Sequence, residues 1–169
     1  MFNKKNFQRP LVICLLCWLG WAGAAQTQAQ VASDDPDWHE TEVPAPPAFS
    51  RDKLIKLDMP VYVSLQFGID PSTLAITPDG IVRYVVVASN TSGSVSAMYE
   101  GIRCATGEVK TYARTNGTSP WTLAKEPQWR ALNDNQPSRH ALAFARQGAC
   151  EGRATVANSV ADIIRAMKK

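Results

Sequence analysis

Residues Ile81–Cys104 read IVRYVVVASNTSGSVSAMYEGIRC, two runs rich in Val, Ile and Tyr on either side of a cluster of Asn, Thr, Ser and Gly. Ile81–Ala88 lacks the apolar and polar alternation of a half-exposed strand, and only Arg83 interrupts it. It therefore predicts a central strand covered on both faces. Asn90-Thr91-Ser92-Gly93-Ser94 supplies the turn, and Val95–Cys104 returns beside the first strand. Gly101 within that return marks a bulge or a close backbone approach. A hairpin of this kind brings Glu100 toward Arg83. Together with Arg103, these are the charges that stand among apolar neighbours. A paired, partly buried charge set is read first as structural, with a ligand site at Arg83, Glu100 and Arg103 as the alternative.

Working outward toward the N-terminus, Thr77-Pro78-Asp79-Gly80 and Asp70-Pro71-Ser72 are turn signals that bracket a short strand at Leu74-Ala75-Ile76. Val61, Val63, Leu65 and Phe67 alternate with Tyr62, Ser64 and Gln66, which predicts a strand over 61–67 with one buried face. Leu54–Met59 reads as a short strand or a turn of helix, and Pro60 limits a helix there. Toward the C-terminus, Val109–Arg114 is a further strand before the Asn116-Gly117 turn. Trp121–Leu123 and Trp129–Leu132 supply apolar groups beyond it. Ser138–Arg146 has Ala141, Leu142 and Ala145 on one helical face, with Gly148 as its stop. A second helix from Thr155 to Met167 aligns Val156, Val160, Ile163, Ile164 and Met167, and Lys168 and Lys169 suit its C-terminal end. Strands first and helices last define an α+β domain, an antiparallel sheet with one or two C-terminal helices packed on it and one disulfide.

The N-terminus has a different logic. Lys4, Lys5 and Arg9 precede the uncharged apolar run Leu11–Ala25, which ends in small residues, the layout of a secretory signal peptide over 1–25. Cleavage is expected between Ala25 and Gln26. The run falls short of the roughly 20 residues of a spanning helix, and no later segment spans a bilayer. An extended arm over 26–49 follows, rich in Gln, Ala, Asp, Glu and Pro, and then one domain over 50–169. Trp38, flanked by acids within the arm, is expected to dock onto its own domain. The formal charge of +3 is carried by the three cations of the leader, which leaves a nearly neutral mature chain with no electrostatic case for nucleic-acid binding.

Cys14 and Cys17 lie in the leader and lack the small residues that precede an acylated cysteine, so lipid anchoring is not expected. Cys104 and Cys150 remain, and two cysteines in an exported chain form a disulfide. They lack the C-x-x-C spacing of a redox pair. His39 and His140 sit in no metal-ligand spacing, and no cofactor motif occurs. His140, without a G-x-S-x-G nucleophile, reads as a surface or capping residue. Asn90-Thr91-Ser92 and Asn116-Gly117-Thr118 match the glycosylation acceptor pattern and are read as turns.

Val82-Arg83-Tyr84, Tyr99-Glu100-Gly101-Ile102-Arg103-Cys104, Tyr112-Ala113, Trp121 and Trp129, in that order after Asp37-Trp38, resemble the cryptic neisserial protein family of Gram-negative bacteria. The resemblance runs from about Asp37 to Cys150. It implies an exported protein, periplasmic or lipid-anchored, with no established catalytic activity. The expectation is a non-enzymatic periplasmic protein that binds an envelope protein or surface component. Either an exposed sheet edge or the aromatic residues Tyr99, Tyr112, Trp121 and Trp129 would form its binding surface.

Overall fold

The computed structural model describes residues 36–134, 138–152, 154–155 and 159–169. The expected leader at 1–25, residues 26–35 of the arm, and Arg153 and Val156 lie outside the described residues.

The described residues form ten strands and two α-helices. They are β1 (Ile55–Lys56), β2 (Gln66–Ile69), β3 (Ala75–Ile76), β4 (Ile81–Ser89), β5 (Val95–Arg103), β6 (Glu108–Thr115), β7 (Thr122–Leu123), β8 (Arg130–Ala131), α1 (His140–Phe144), β9 (Cys150–Glu151), β10 (Ala154–Thr155) and α2 (Val160–Met167). The main sheet is antiparallel in the order β1-β2-β4-β5-β6-β7, with β3 beside the start of β4 and β8 beside the start of β6. β9 and β10 form a separate two-stranded ladder. The expected antiparallel sheet with two C-terminal helices is therefore the fold.

β4 is buried along Ile81–Ala88 because both faces of the sheet are covered. On one face Val82, Tyr84, Val86, Met98 and Ile102 pack against Phe144, Ala145, Ala149 and Ile163 of the helical segment. On the other, Val85, Val87, Ala97, Tyr99, Tyr112 and Ala113 form a smaller cluster with Phe49, Leu54 and Trp121. The ladder between β5 and β6 shifts between Tyr99 and Glu100, where Tyr99 faces Ala113 and Glu100 faces Thr111. Tyr112 is the extra residue of this bulge, and it joins Ala113 in the second cluster instead of alternating away from it. The turn expected at Asn90–Ser94 is present, with the Asn90 side chain accepting from the backbone of Ser92 and Ser94.

Three elements differ from their sequence expectation. The strand expected over 61–67 is confined to Gln66–Ile69, because its partner β4 ends at Ser89 opposite Gln66 and leaves nothing for earlier residues to pair with. Pro60 accepts instead from the Val63 N–H at 2.9 Å, closing a turn that leaves Val61 and Tyr62 exposed. Gly148 does not stop the first helix. After Phe144 the coil widens into a π-helical turn, Ala145–Ala149, and Gly148 is buried inside it. A Cβ there would lie 2.6 Å from Met167 Cγ, so this glycine permits the close contact with α2. Thr155 lies in β10, and α2 begins only after Ser159, whose hydroxyl caps the Asp162 N–H. Ser159 also donates to the Asp162 carboxylate, the polar pair that fixes a helix start.

Cys104 and Cys150 are bonded, with a Cα–Cα distance of 5.6 Å. The bridge ties the end of β5 to the segment just past the helical turn.

Candidate functional site

The register of β4 against β5 sets the chemistry of each face. Tyr84 pairs with Glu100 and Arg83 with Gly101, so Arg83 and Glu100 project to opposite sides of the sheet. The contact expected between them does not form, because pairing is offset by one residue from the one that would join them.

Glu100 points toward the helices and is 2% exposed. Its Oε2 accepts from the Tyr84 hydroxyl and from His140 Nε2, each at 2.9 Å, and its Oε1 accepts from the Thr111 hydroxyl at 2.9 Å. His140 opens α1 and is 7% exposed, so it is a core residue and not the surface or capping residue expected. Its ring stacks on Phe67 at 5.0 Å and 11°, while Tyr84 meets Phe144 edge-on at 4.6 Å. An ionised carboxylate can only accept, so Nε2 carries the hydrogen toward Glu100 and Nδ1 meets the Ser138 hydroxyl at 2.7 Å. Arg139, between these two residues, has φ of 50°, a left-handed conformation that reverses the chain just before the helix.

Burial acts to raise the pKa of Glu100, but His140 and the three hydrogen bonds outweigh it and hold the carboxyl below its ordinary 4.5. Burial, followed by the charge of Glu100, pushes the Tyr84 hydroxyl far up, which keeps it a neutral donor. A cavity of about 250 Å³ abuts this network, walled by Glu100, Thr111, Arg114, Gln128, Arg130 and His140. Ser138, His140 and Glu100 are the residue types of a hydrolase relay. Here the ring runs the opposite way, with Nδ1 to the serine and Nε2 to the acid, and Ser138 does not line the cavity.

The other face is covered by residues 38–50, which cross the sheet as an extended strap without regular secondary structure. Trp38 docks as expected. Its indole N–H donates to the Asp79 carbonyl at 2.9 Å, the Arg103 guanidinium lies 3.7 Å from its ring centre, and Trp129 meets it edge-on at 6.1 Å. Glu40 accepts from Lys110 Nζ and, at 2.7 Å, from the Tyr112 hydroxyl, and it lies 3.9 Å from Arg83. Arg83 donates to the carbonyls of Thr41 at 2.9 Å and Glu42 at 3.1 Å. Thr41 in turn donates to Asp79 through its N–H and its hydroxyl. Burial tends to raise the Asp79 pKa, but hydrogen bonds from Thr77 and Thr41 and the charge of Arg83 bring it below its usual value. Tyr112 is pushed well up, chiefly by burial and then by Glu40. Gly101 makes room for this arrangement, since a Cβ there would lie 2.5 Å from the Tyr112 hydroxyl oxygen. The strap ends where the Ser50 N–H donates to buried Asp70 at 2.6 Å.

Between the strap and the sheet is a second recess of about 280 Å³, walled by Pro44, Pro46, Tyr99, Tyr112, Leu123 and Pro127. Tyr99 and Tyr112 form its aromatic floor, with ring centres 5.3 Å apart and planes tilted by 49°. Leu123, on short β7, is 65% exposed beside it.

Of the residues singled out from sequence, Arg83, Tyr99, Arg103, Tyr112 and Trp129 gather under the strap. Trp121 packs against Phe49 at 5.7 Å on the same face, and Glu100 stands alone on the other. The partners of Glu100 were not anticipated. Tyr84, Thr111 and His140 can be found only once the strand register is known. No group of His, Cys, Asp and Glu that could hold a metal occurs among the described residues.

These features define a class: a disulfide-closed α+β domain whose sheet carries helices on one face and its own N-terminal strap on the other. The chain belongs to the CNP1-like family, whose sequence model matches residues 33–168 and so includes the strap, both faces of the sheet and α2. No curated protein and no solved structure matches the chain. No helix among the described residues is long and apolar enough to cross a membrane.

Proposed function

We propose that this protein is an exported, periplasmic and non-enzymatic binding module that holds an extended apolar segment of another envelope protein. The observation that carries this reading is the recess between the strap and the sheet, with Tyr99 and Tyr112 as its floor and Leu123 exposed at its rim. The chain's own Pro44 and Pro46 line one wall, so the surface already accommodates extended, proline-containing backbone. Apolar walls over two tyrosine rings suit side chains from such a segment, and β7 lies alongside as a short edge for main-chain pairing. The absence of catalysis is supported by His140, both of whose ring nitrogens are engaged within the chain, with its serine partner outside the adjoining cavity. The export reading is supported by the leader pattern and by the bonded cysteines, which suit an oxidising compartment.

The test is a photo-crosslinking residue at position 123 of the full-length protein expressed in its native envelope, with exposed Lys53 as the control position. A discrete protein adduct at 123 in the periplasmic fraction, lost in Tyr99→Ala and absent at 53, is expected. Equal labelling at both positions, or none at 123, would refute the proposal.

A further inference from the structure

We propose that the turn at Met59–Leu65 and the adjoining helical face at Arg139 and Arg146 form a docking site for anionic phospholipid at a bilayer surface. The inference rests on observations separate from the recess above. Val61 is fully exposed and Tyr62 and Leu65 are exposed beside it, so three of the five most exposed large apolar residues among those described lie within five positions. Single exposed apolar residues call for no explanation, but a cluster at a protruding turn does.

This exposure is built in and does not come from fraying. Leu57 is buried and its N–H donates to the Phe67 carbonyl at 2.9 Å. The backbone of Asp58 is held at both its N–H and its carbonyl by the Gln147 side chain, each at 2.9 Å. The Val63 N–H closes the turn on Pro60, and Val63 itself packs against the core. Anchored on both sides, the turn projects Val61 and Tyr62 as its most exposed apolar side chains.

Next to it lies a cavity of about 300 Å³, whose walls include Met59, Tyr62, Arg139, Leu142, Arg146 and Gln147. Among the described residues lining it, Asp58 is the one acid, against two arginines. Neither arginine has a carboxylate partner among the described residues. Guanidinium groups bind phosphate through paired N–H donors, and Tyr favours the boundary between headgroups and acyl chains. A convex apolar knob flanked by cations suits a surface that yields around it and carries negative charge, which is what an anionic bilayer offers.

The test is co-sedimentation of the purified exported protein with vesicles of equal parts phosphatidylglycerol and phosphatidylcholine, compared with pure phosphatidylcholine. Binding to the anionic vesicles alone is expected, weakened about fivefold by each of Arg139→Gln and Arg146→Gln. Val61→Asp should weaken it at least about tenfold with an unchanged melting temperature, because the side chain touches no core. Soluble glycerol phosphate should not compete. Equal binding to both vesicle types, full binding by Val61→Asp, or displacement by glycerol phosphate would each overturn the proposal, the last by showing a free phosphate-ester site. If the arginine variants do not fold, Val61→Asp and the loss of binding at high salt decide it.

Discussion

Glu100 shows how one buried charge is accommodated. Three donors from two different strands and a helix meet its two oxygens, so removing the carboxylate strands Tyr84, Thr111 and His140 together. Glu100→Ala should cost about 3–5 kcal/mol in urea unfolding, the penalty of leaving buried partners unanswered. The pH dependence has a definite sign. Because the folded pKa lies below the ordinary 4.5, this contribution is fully present above about pH 4.5 and is lost as the pH falls through the lowered folded value. Wild-type stability should therefore fall more steeply below pH 4.5 than that of Glu100→Gln, measured by urea midpoints across the acid range. An equal slope in the two proteins would show that Glu100 does not carry the linkage. Sequence alone could mark Glu100 as an odd charge within a strand. It could not assign its partner, because a register offset of one residue exchanges Arg83 for Tyr84, and nothing local fixes that offset.

At the scale of elements, the strap is what separates this sheet from one with a solvated face. Trp38 holds it by an indole hydrogen bond, by stacking of Arg103 and by an edge contact with Trp129. Trp38→Ala should destabilise by roughly 2–3 kcal/mol, the combined worth of an aromatic contact, a cation–π contact and the lost apolar burial. Limited proteolysis should then cut within residues 39–50 well before the sheet, whereas simultaneous loss of strap and sheet would show that the two unfold as one. The long strands were legible because β4 is apolar along its whole length and so announces burial on both sides. The elements misread were those set by their neighbours. Residues 61–65 alternate like a strand but have no partner beyond Ser89, and Gly148 resembles a helix stop but provides the space for Met167. The start of α2 was legible in principle, since Ser159 and Asp162 stand three apart as a capping pair.

For the whole molecule, the Cys104–Cys150 bond closes a loop with a sequence separation of 46 and joins the sheet to the helical segment. On the chain-entropy account, such a loop contributes about 4 kcal/mol by restricting the unfolded chain. Reduction should lower the urea midpoint by a corresponding amount while the folded baseline, read by near-ultraviolet circular dichroism, stays the same. A midpoint unmoved by reductant would mean that the reduced unfolded chain is already compact. The pairing was readable from the count of cysteines beyond the expected leader, since it required no knowledge of geometry. The two-faced burial of the sheet was readable only in part, because the strap's composition describes a soluble linker and its contacts lie far along the chain.

That distance has a consequence for the order in which the molecule can be made. Trp38 and Glu40 leave the ribosome before the residues they bind, at Asp79, Arg103, Lys110, Tyr112 and Trp129, exist. The Trp38 contact, 41 positions long, needs only the turn at Asp79, but the Glu40 contacts, 70 and 72 positions long, cannot close until β6 has been synthesised. The Glu40 part of the strap can thus be fixed only after β6 exists, and until then Arg83 lies beside a Glu40 that lacks its Lys110 and Tyr112 partners.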